Sequence, residues 1–276
     1  MNKIGRFFRL LLSDFSRAFL SKNFLMASLL VVFFYILGTL DSIIECVKYG
    51  SEITVFDMHS MATFSTFSLL NYVLCAIPYA NSFSNDYKTN YFRPIIMRSG
   101  KRSYAVSKVL ATAISGAFCL IVGELVYMLI CSFFGGAVSV NEISELNTGS
   151  TEAFSNIANA NVLLSGNYIG YFVLLAIHRG LIGSFLSLIA LGVSLKIQNV
   201  FVIISSPLLV YYFIENLLMN FLKLPQTFNI ANIFDGRISV VDSRYMFLYS
   251  LLFALVTCIL IGIFVVRGIE RKVTDE

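Results

Sequence analysis

The chain has 276 residues, is 57% hydrophobic and only 13% charged, and carries a formal net charge of +4. Soluble domains hold about 25% charged residues, so this composition, with a mean hydropathy of +0.79, excludes an ordinary water-soluble globular protein. No soluble domain fits beside the apolar blocks either, because the longest gap between them is about 33 residues.

A helix needs roughly 20 mostly apolar residues to cross the hydrocarbon layer. Six blocks answer to that length: about 23–43, 62–80, 107–134, 168–194, 200–220 and 245–266. They are continuous rather than alternating, and lipid offers no partner to free backbone groups, so they predict helices rather than barrel strands. The expected fold is all-α: one polytopic domain over residues 1–276 with six transmembrane helices.

In chain order, the first stretch is "MNKIGRFFRLLLSDFSRAFLSK". At 100° per residue Ile4, Phe8, Leu11, Leu12, Phe15 and Phe19 share one side of a helix, with Lys3, Arg6, Arg9, Ser13, Ser16 and Arg17 opposite. Residues 1–22 therefore predict an amphipathic helix in the membrane interface. The block after it ends "ILGTLDS" with no small-residue cleavage site, so it is expected to be an uncleaved first span.

The second and third blocks are joined by 81–106, which is basic with Asp86 its sole acid. Fifteen of the lysines and arginines fall on the side of this loop and four on the other, with Arg179 inside a span. The positive-inside bias then places both termini and loop 81–106 in the cytoplasm. The loop alternates Arg93, Arg98, Lys101 and Arg102 with Tyr87, Tyr91, Phe92, Ile95, Ile96, Met97 and Tyr104. Orientation and contact with anionic headgroups account for part of that charge. The apolar and aromatic residues suit a short surface helix seated in a partner's groove.

"SGK" at 99–101 is not a phosphate loop: the required earlier glycine is Ile95, and Arg102 stands where Ser or Thr is needed. The third block contains Glu124 and the fourth His178–Arg179. The two spans run in opposite directions, and at 1.5 Å per residue both charges lie roughly 15 Å in from the outer end. Glu124 and Arg179 are therefore expected to approach each other, either as a structural pair or as a polar patch on a translocation path. His178 is expected to pack or hydrogen-bond, and His59 falls in an outer loop.

Residues 135–167 hold no lysine or arginine, three glutamates and six asparagines, and predict an outer connector or small cap. Pro207 is expected to kink the fifth span and Glu215 to reach the surface near its end. Pro225 and Gly236 punctuate a half-apolar stretch, 221–244, that suits short helices dipping back into the outer leaflet. Cys46, Cys75, Cys119, Cys131 and Cys258 show neither a disulfide framework nor metal-ligand spacing. No HExxH, no GxSxG and no intramembrane aspartate pair is present, so no catalytic residue, metal or cofactor is expected.

This order of features resembles the permease subunit of an ABC-2 type ATP-binding cassette exporter. The most specific stretch is "NDYKTNYFRPIIMRSGKRSYAVSKVLATAI" (85–114), where Asp86, Thr89, Arg98, Lys101–Arg102, Tyr104 and Ser107–Lys108 resemble the family's acidic residue, threonine, arginine-bearing turn and aromatic–x–x–Ser–Lys approach to the third span. "DFSRAFLSKNFLM" (14–26) is similar to the family's approach to the first span. Lys88 replaces a common glycine and Asp86 a frequent glutamate. The resemblance implies a coupling helix within 81–106, with Asp86, Arg93, Arg98, Lys101, Arg102 and Tyr104 as the coupling residues. It also implies a separate ATPase chain that binds the ATP, a second permease chain in a homo- or heterodimer, and a bacterial cytoplasmic membrane; membrane lipids are partners and nucleic acid is not. Peptide antibiotics, drugs, lipids and polysaccharides are open as substrates, with a lean to peptide or toxin export.

Two other readings stay open. A secondary transporter built from three plus three inverted repeats would match Pro78 with Pro207. A membrane-insertion or scaffold protein would use Arg179 in a hydrophilic groove.

Overall fold

The computed structural model describes residues 3–49, 53–136, 138, 157–223, 225–235 and 239–274. All elements among the described residues are helical. The chain opens with α1 (Lys3–Phe19), which the wheel of apolar residues predicted. Ser21 then caps a second helix, α2 (Lys22–Gly38), its hydroxyl accepting from the Phe24 amide at 3.1 Å. That fresh cap sets the two helices 48° apart. The first predicted span is shorter than expected: Thr39 ends α2 by turning its amide and hydroxyl back onto the Ile36 and Tyr35 carbonyls. A separate helix, α3 (Leu40–Tyr49), follows.

The predicted second span, 62–80, is not one helix. It is divided among α4 (Val55–Phe64), a 3-10 turn (Thr66–Leu70), the single turn α5 (Asn71–Leu74) and further turns before α6 (Ser82–Lys88). The cause is local. Ser65 is extended (φ −68°, ψ 148°), and the Ser68 hydroxyl bonds the Thr63 carbonyl at 2.9 Å, competing there with the backbone ladder. Pro78 removes a further donor. The start of α4 is fixed by a capping box between Thr54 and Asp57.

After α7 (Phe92–Ser99) the chain turns at Gly100, whose φ of +87° lies where a side chain is strained. Long apolar helices then dominate: α8 (Lys101–Cys131), α10 (Tyr168–Ser194), α11 (Val200–Phe213) and α13 (Met246–Thr274), with the short α9 (Ala160–Leu164) before α10. Among the described residues four helices are long and apolar enough to cross a membrane, α11 being counted through Leu217, and the bent pair α1–α2 makes a fifth if it is one span. Helix α11 stays helical through Pro207 and widens into a π-helix over Ile214–Phe221.

The 221–244 stretch forms the short helices its punctuation predicted, a 3-10 turn (Gln226–Phe228) and α12 (Ile230–Asp235). They hold to α13 through Phe234 on Phe253 and through Tyr249, which donates to the Thr227 carbonyl at 2.6 Å. Ser243 ties this region to residues 157–160. The remainder of the predicted outer cap, residue 137 and 139–156, lies outside the described residues.

The core is built on the pairing of α8 with α10. A Cβ placed on Gly183 would stand 2.8 Å from the Gly116 carbonyl oxygen, and one on Gly116 would stand 2.5 Å from Ser187 Oγ. Small residues thus let two backbones touch, which is how membrane helices gain packing energy without a hydrophobic drive between them. Gly183→Leu is expected to cost about 1–3 kcal/mol through overpacking, read as a lower unfolding temperature in detergent. Gly5→Ala, with nothing within 4 Å, is the unaffected control. Helices α2 and α1 lean on α8, α11 on α10, and α13 on both α8 and α10.

Candidate functional site

The polar chemistry gathers at two levels. The first is the basic end of the bundle, where α1, α6 and the start of α8 meet. Lys108, on the inward face of α8, is 0% exposed. Its ammonium has three donors and three partners: Asp86 Oδ2 at 2.7 Å, Asp14 Oδ1 at 3.1 Å and the Tyr79 hydroxyl at 2.8 Å. Asp14, from α1, also accepts from Ser107 Oγ at 2.5 Å and from the Tyr79 hydroxyl. Asp86, from α6, also accepts from Arg17 Nη2 at 2.9 Å and the Tyr104 hydroxyl at 3.1 Å. Two carboxylates face one lysine and one arginine, so the cluster is neutral and its hydrogen bonds are filled. That is the condition under which buried charge is tolerated.

Asp86 titrates below its ordinary value of 3.8. Burial acts to raise it, but the Lys108 charge and the hydrogen bonds from Arg17 and Lys108 outweigh burial. A depressed carboxylate adds stability above its unfolded value and loses it as pH falls through the folded value. Wild-type protein is therefore expected to lose stability below about pH 4, the ordinary aspartate range. An Asp86→Asn variant, less stable at neutral pH, should show a flatter acid limb in thermal unfolding recorded from pH 7 to 3.

From this cluster α6 and α7 spread as a platform against the other helix ends. Lys88 donates to the Gln198 carbonyl at 2.8 Å, between α10 and α11. Lys272, near the end of α13, donates to the Leu195 carbonyl at 2.5 Å and lies 4.3 Å from the Tyr87 ring centroid. Tyr87 in turn stacks on Phe92 at 5.6 Å, fixing α7 by its one buried side chain. The outer face of α7 presents Arg93, Pro94, Arg98 and Met97, the last 86% exposed.

The six loop residues singled out in sequence therefore divide. Asp86 and Tyr104 are buried members of the cluster. Arg93 is exposed on α7 beside Phe92, and Arg98 is exposed there too, its carbonyl accepting from Arg6 at 3.2 Å. Lys101 is exposed at the start of α8 and reaches Thr274 at 3.2 Å. Arg102 turns to a groove between α8 and α13. Asp14, Tyr79 and the buried role of Lys108 were not anticipated. The signal existed: Asp14 is the only acid among the first 40 residues.

The second level lies within the apolar bundle. Glu124 is 0% exposed, but its partner is not Arg179, as its depth suggested. Glu124 Oε1 is 2.7 Å from His59 Nε2. The broken second segment folds α4 inward, which places His59, 1% exposed, against α8 instead of in an outer loop. Arg179 donates to the Tyr72 hydroxyl at 3.1 Å, and Tyr72 packs on Tyr211 at 4.4 Å. Glu124 and Arg179 do share a neighbourhood, since both lie within electrostatic reach of Tyr35. His178 sits 3.3 Å from Asn159 and edge-on to Phe247, the packing role expected of it. Glu215, half-buried, accepts from Asn229 at 3.0 Å.

Among the described residues no group of three or more His, Cys, Asp or Glu side chains is placed to hold a metal ion. Comparison with family models, curated proteins and solved structures gave no match.

Proposed function

We propose that this chain is the membrane subunit of an ATP-driven exporter of the ABC-2 type, and that α7 is where a separate ATPase docks. One observation carries the reading. The α6–α7 platform is bound to α1 and α8 by buried charge, to the α10–α11 link by Lys88 and to α13 by Lys272, yet turns an exposed basic and apolar face outward. A load applied to that face passes through the Phe92–Tyr87 stack to α6, and from α6 to α1, α8, the α10–α11 link and α13. This is what a coupling element requires, and no nucleotide motif in the chain supplies the energy itself.

In this reading the pieces of the broken second segment together make one pass. With α2, α8, α10, α11 and α13 that gives six, and both termini lie with the basic end in the cytoplasm of a bacterial cell. A second permease chain, identical or not, completes the translocation path, and peptides or toxins are the first substrates to try. Purification in mild detergent tests the proposal. A protein with a Walker motif is expected to accompany the wild type and to be lost from an Arg93→Glu/Arg98→Glu/Lys101→Glu variant that still elutes as a folded species. Its absence from folded wild type refutes the reading.

An ion-coupled carrier is the second reading, and the Glu124–His59 pair favours it, because ionisable groups buried among spanning helices commonly mark proton or ion paths. Transport that follows an imposed proton gradient in vesicles without ATP would put it first.

A further inference from the structure

We infer that the groove between α8, α10 and α13 is a binding site for one anionic phospholipid. The groove has a volume of about 870 Å³ and runs from Arg102 at the start of α8 to Phe118. Sixteen residues at 1.5 Å each make that roughly 24 Å, longer than one leaflet of a hydrocarbon core about 30 Å thick. Its floor is made of small side chains, Ala113, Ala117 and Gly262, between two rows of exposed apolar ones on α8 and α13. Ser184 and Cys258, the polar atoms at depth, are 3.3 Å from each other, and Ser184 also donates to the Leu181 carbonyl. The interior thus asks nothing polar of an occupant.

All the charge stands at one end. Arg102 and Arg267 are exposed at the mouth with Glu270 half-buried beside them, leaving a positive balance there. The bond between Lys101 and Thr274 shows that this mouth is where α8 begins and α13 finishes, the level at which a headgroup lies. An occupant that matches has a negative head and a long apolar body, and basic pockets between membrane helices hold such headgroups. A neighbouring helix from a second copy would fill the slot but would leave the arginines unanswered. The site is independent of the transport reading and needs only that the helices lie in a bilayer.

Native mass spectrometry on protein taken from mixed micelles of phosphatidylglycerol and phosphatidylcholine tests this. Wild type is expected to retain one phosphatidylglycerol in preference to phosphatidylcholine. Removing both arginines (Arg102→Ala/Arg267→Ala) should weaken phosphatidylglycerol retention roughly tenfold or more while leaving the weak retention of phosphatidylcholine unchanged. Filling the floor with Ala117→Phe should remove both lipids. Equal retention of the two lipids by wild type overturns the proposal, as does displacement of phosphatidylglycerol by inorganic phosphate, which would make the mouth a plain anion site. A dimer that disappears in Ala117→Phe would make the groove a contact between copies and overturn it too. If the arginine variant does not elute as folded protein, the wild-type competition between the two lipids decides alone.

Discussion

Lys108→Ala is expected to destabilise the protein by about 3–5 kcal/mol, the cost of leaving a buried charge without its partner. The alanine leaves Asp14 and Asp86 facing each other with their common cation gone, in a place where water does not reach. Arg17 remains on Asp86 and pairs with Asp14 at 3.9 Å, beyond hydrogen-bond distance and from a partly exposed position, so it replaces the lysine only in part. Adding Asp14→Asn and Asp86→Asn to Lys108→Met should recover a large part of the loss, because the like charges then disappear together. Unfolding temperature in detergent reads the first effect and the rescue. A Lys108→Ala protein as stable as wild type would mean that the cluster is hydrated and the buried-charge description is wrong.

The pair inside the bundle gives the second large effect. Glu124→Lys is expected to cost a comparable amount, about 3–5 kcal/mol, since it sets an unpaired ammonium beside His59 and near Arg179. Which partner rescues a change at 124 then decides between two geometries. Exchanging Glu124 with His59 (Glu124→His/His59→Glu) should restore most of the stability lost by Glu124→His alone, as the two atoms are 2.7 Å apart. The exchange with Arg179 that the depth argument suggests should not restore it, because Arg179 is engaged with Tyr72. Rescue by the Arg179 exchange and none by the His59 exchange would reverse this assignment.

Helices whose apolar residues run unbroken were legible from the sequence, their ends to within about eight residues. The block at 168–194 is the helix Tyr168–Ser194, and the block at 245–266 starts one residue before Met246–Thr274, which continues eight residues past it. Hydropathy failed at 62–80 because it averages over the extended Ser65 and over Ser68, whose hydroxyl takes the Thr63 carbonyl, and treats Pro78 as one residue among nineteen. That one error displaced His59 from the bundle and gave Glu124 the wrong partner.

The candidate site was half legible. Asp86 and Tyr104 stood out by pattern, and both are buried in the cluster. Asp14 was hidden inside an amphipathic wheel, where a single acid reads as part of the wet face. Its contact with Lys108 joins positions 94 residues apart, which no local spacing reveals. Lys108 looked like one more positive charge on a basic loop, although it is the cation around which three segments close.

The docking proposed for α7 is of a motor carried on another chain. The most direct measurement is photo-cross-linking in intact cells from a photoreactive residue placed at Met97, which is exposed on the outward face of α7. The expected product joins this chain to a Walker-motif ATPase and is lost when Arg93 and Arg98 are reversed in charge. Cross-links to lipid alone, from protein that is folded and abundant in the membrane, would contradict the claim.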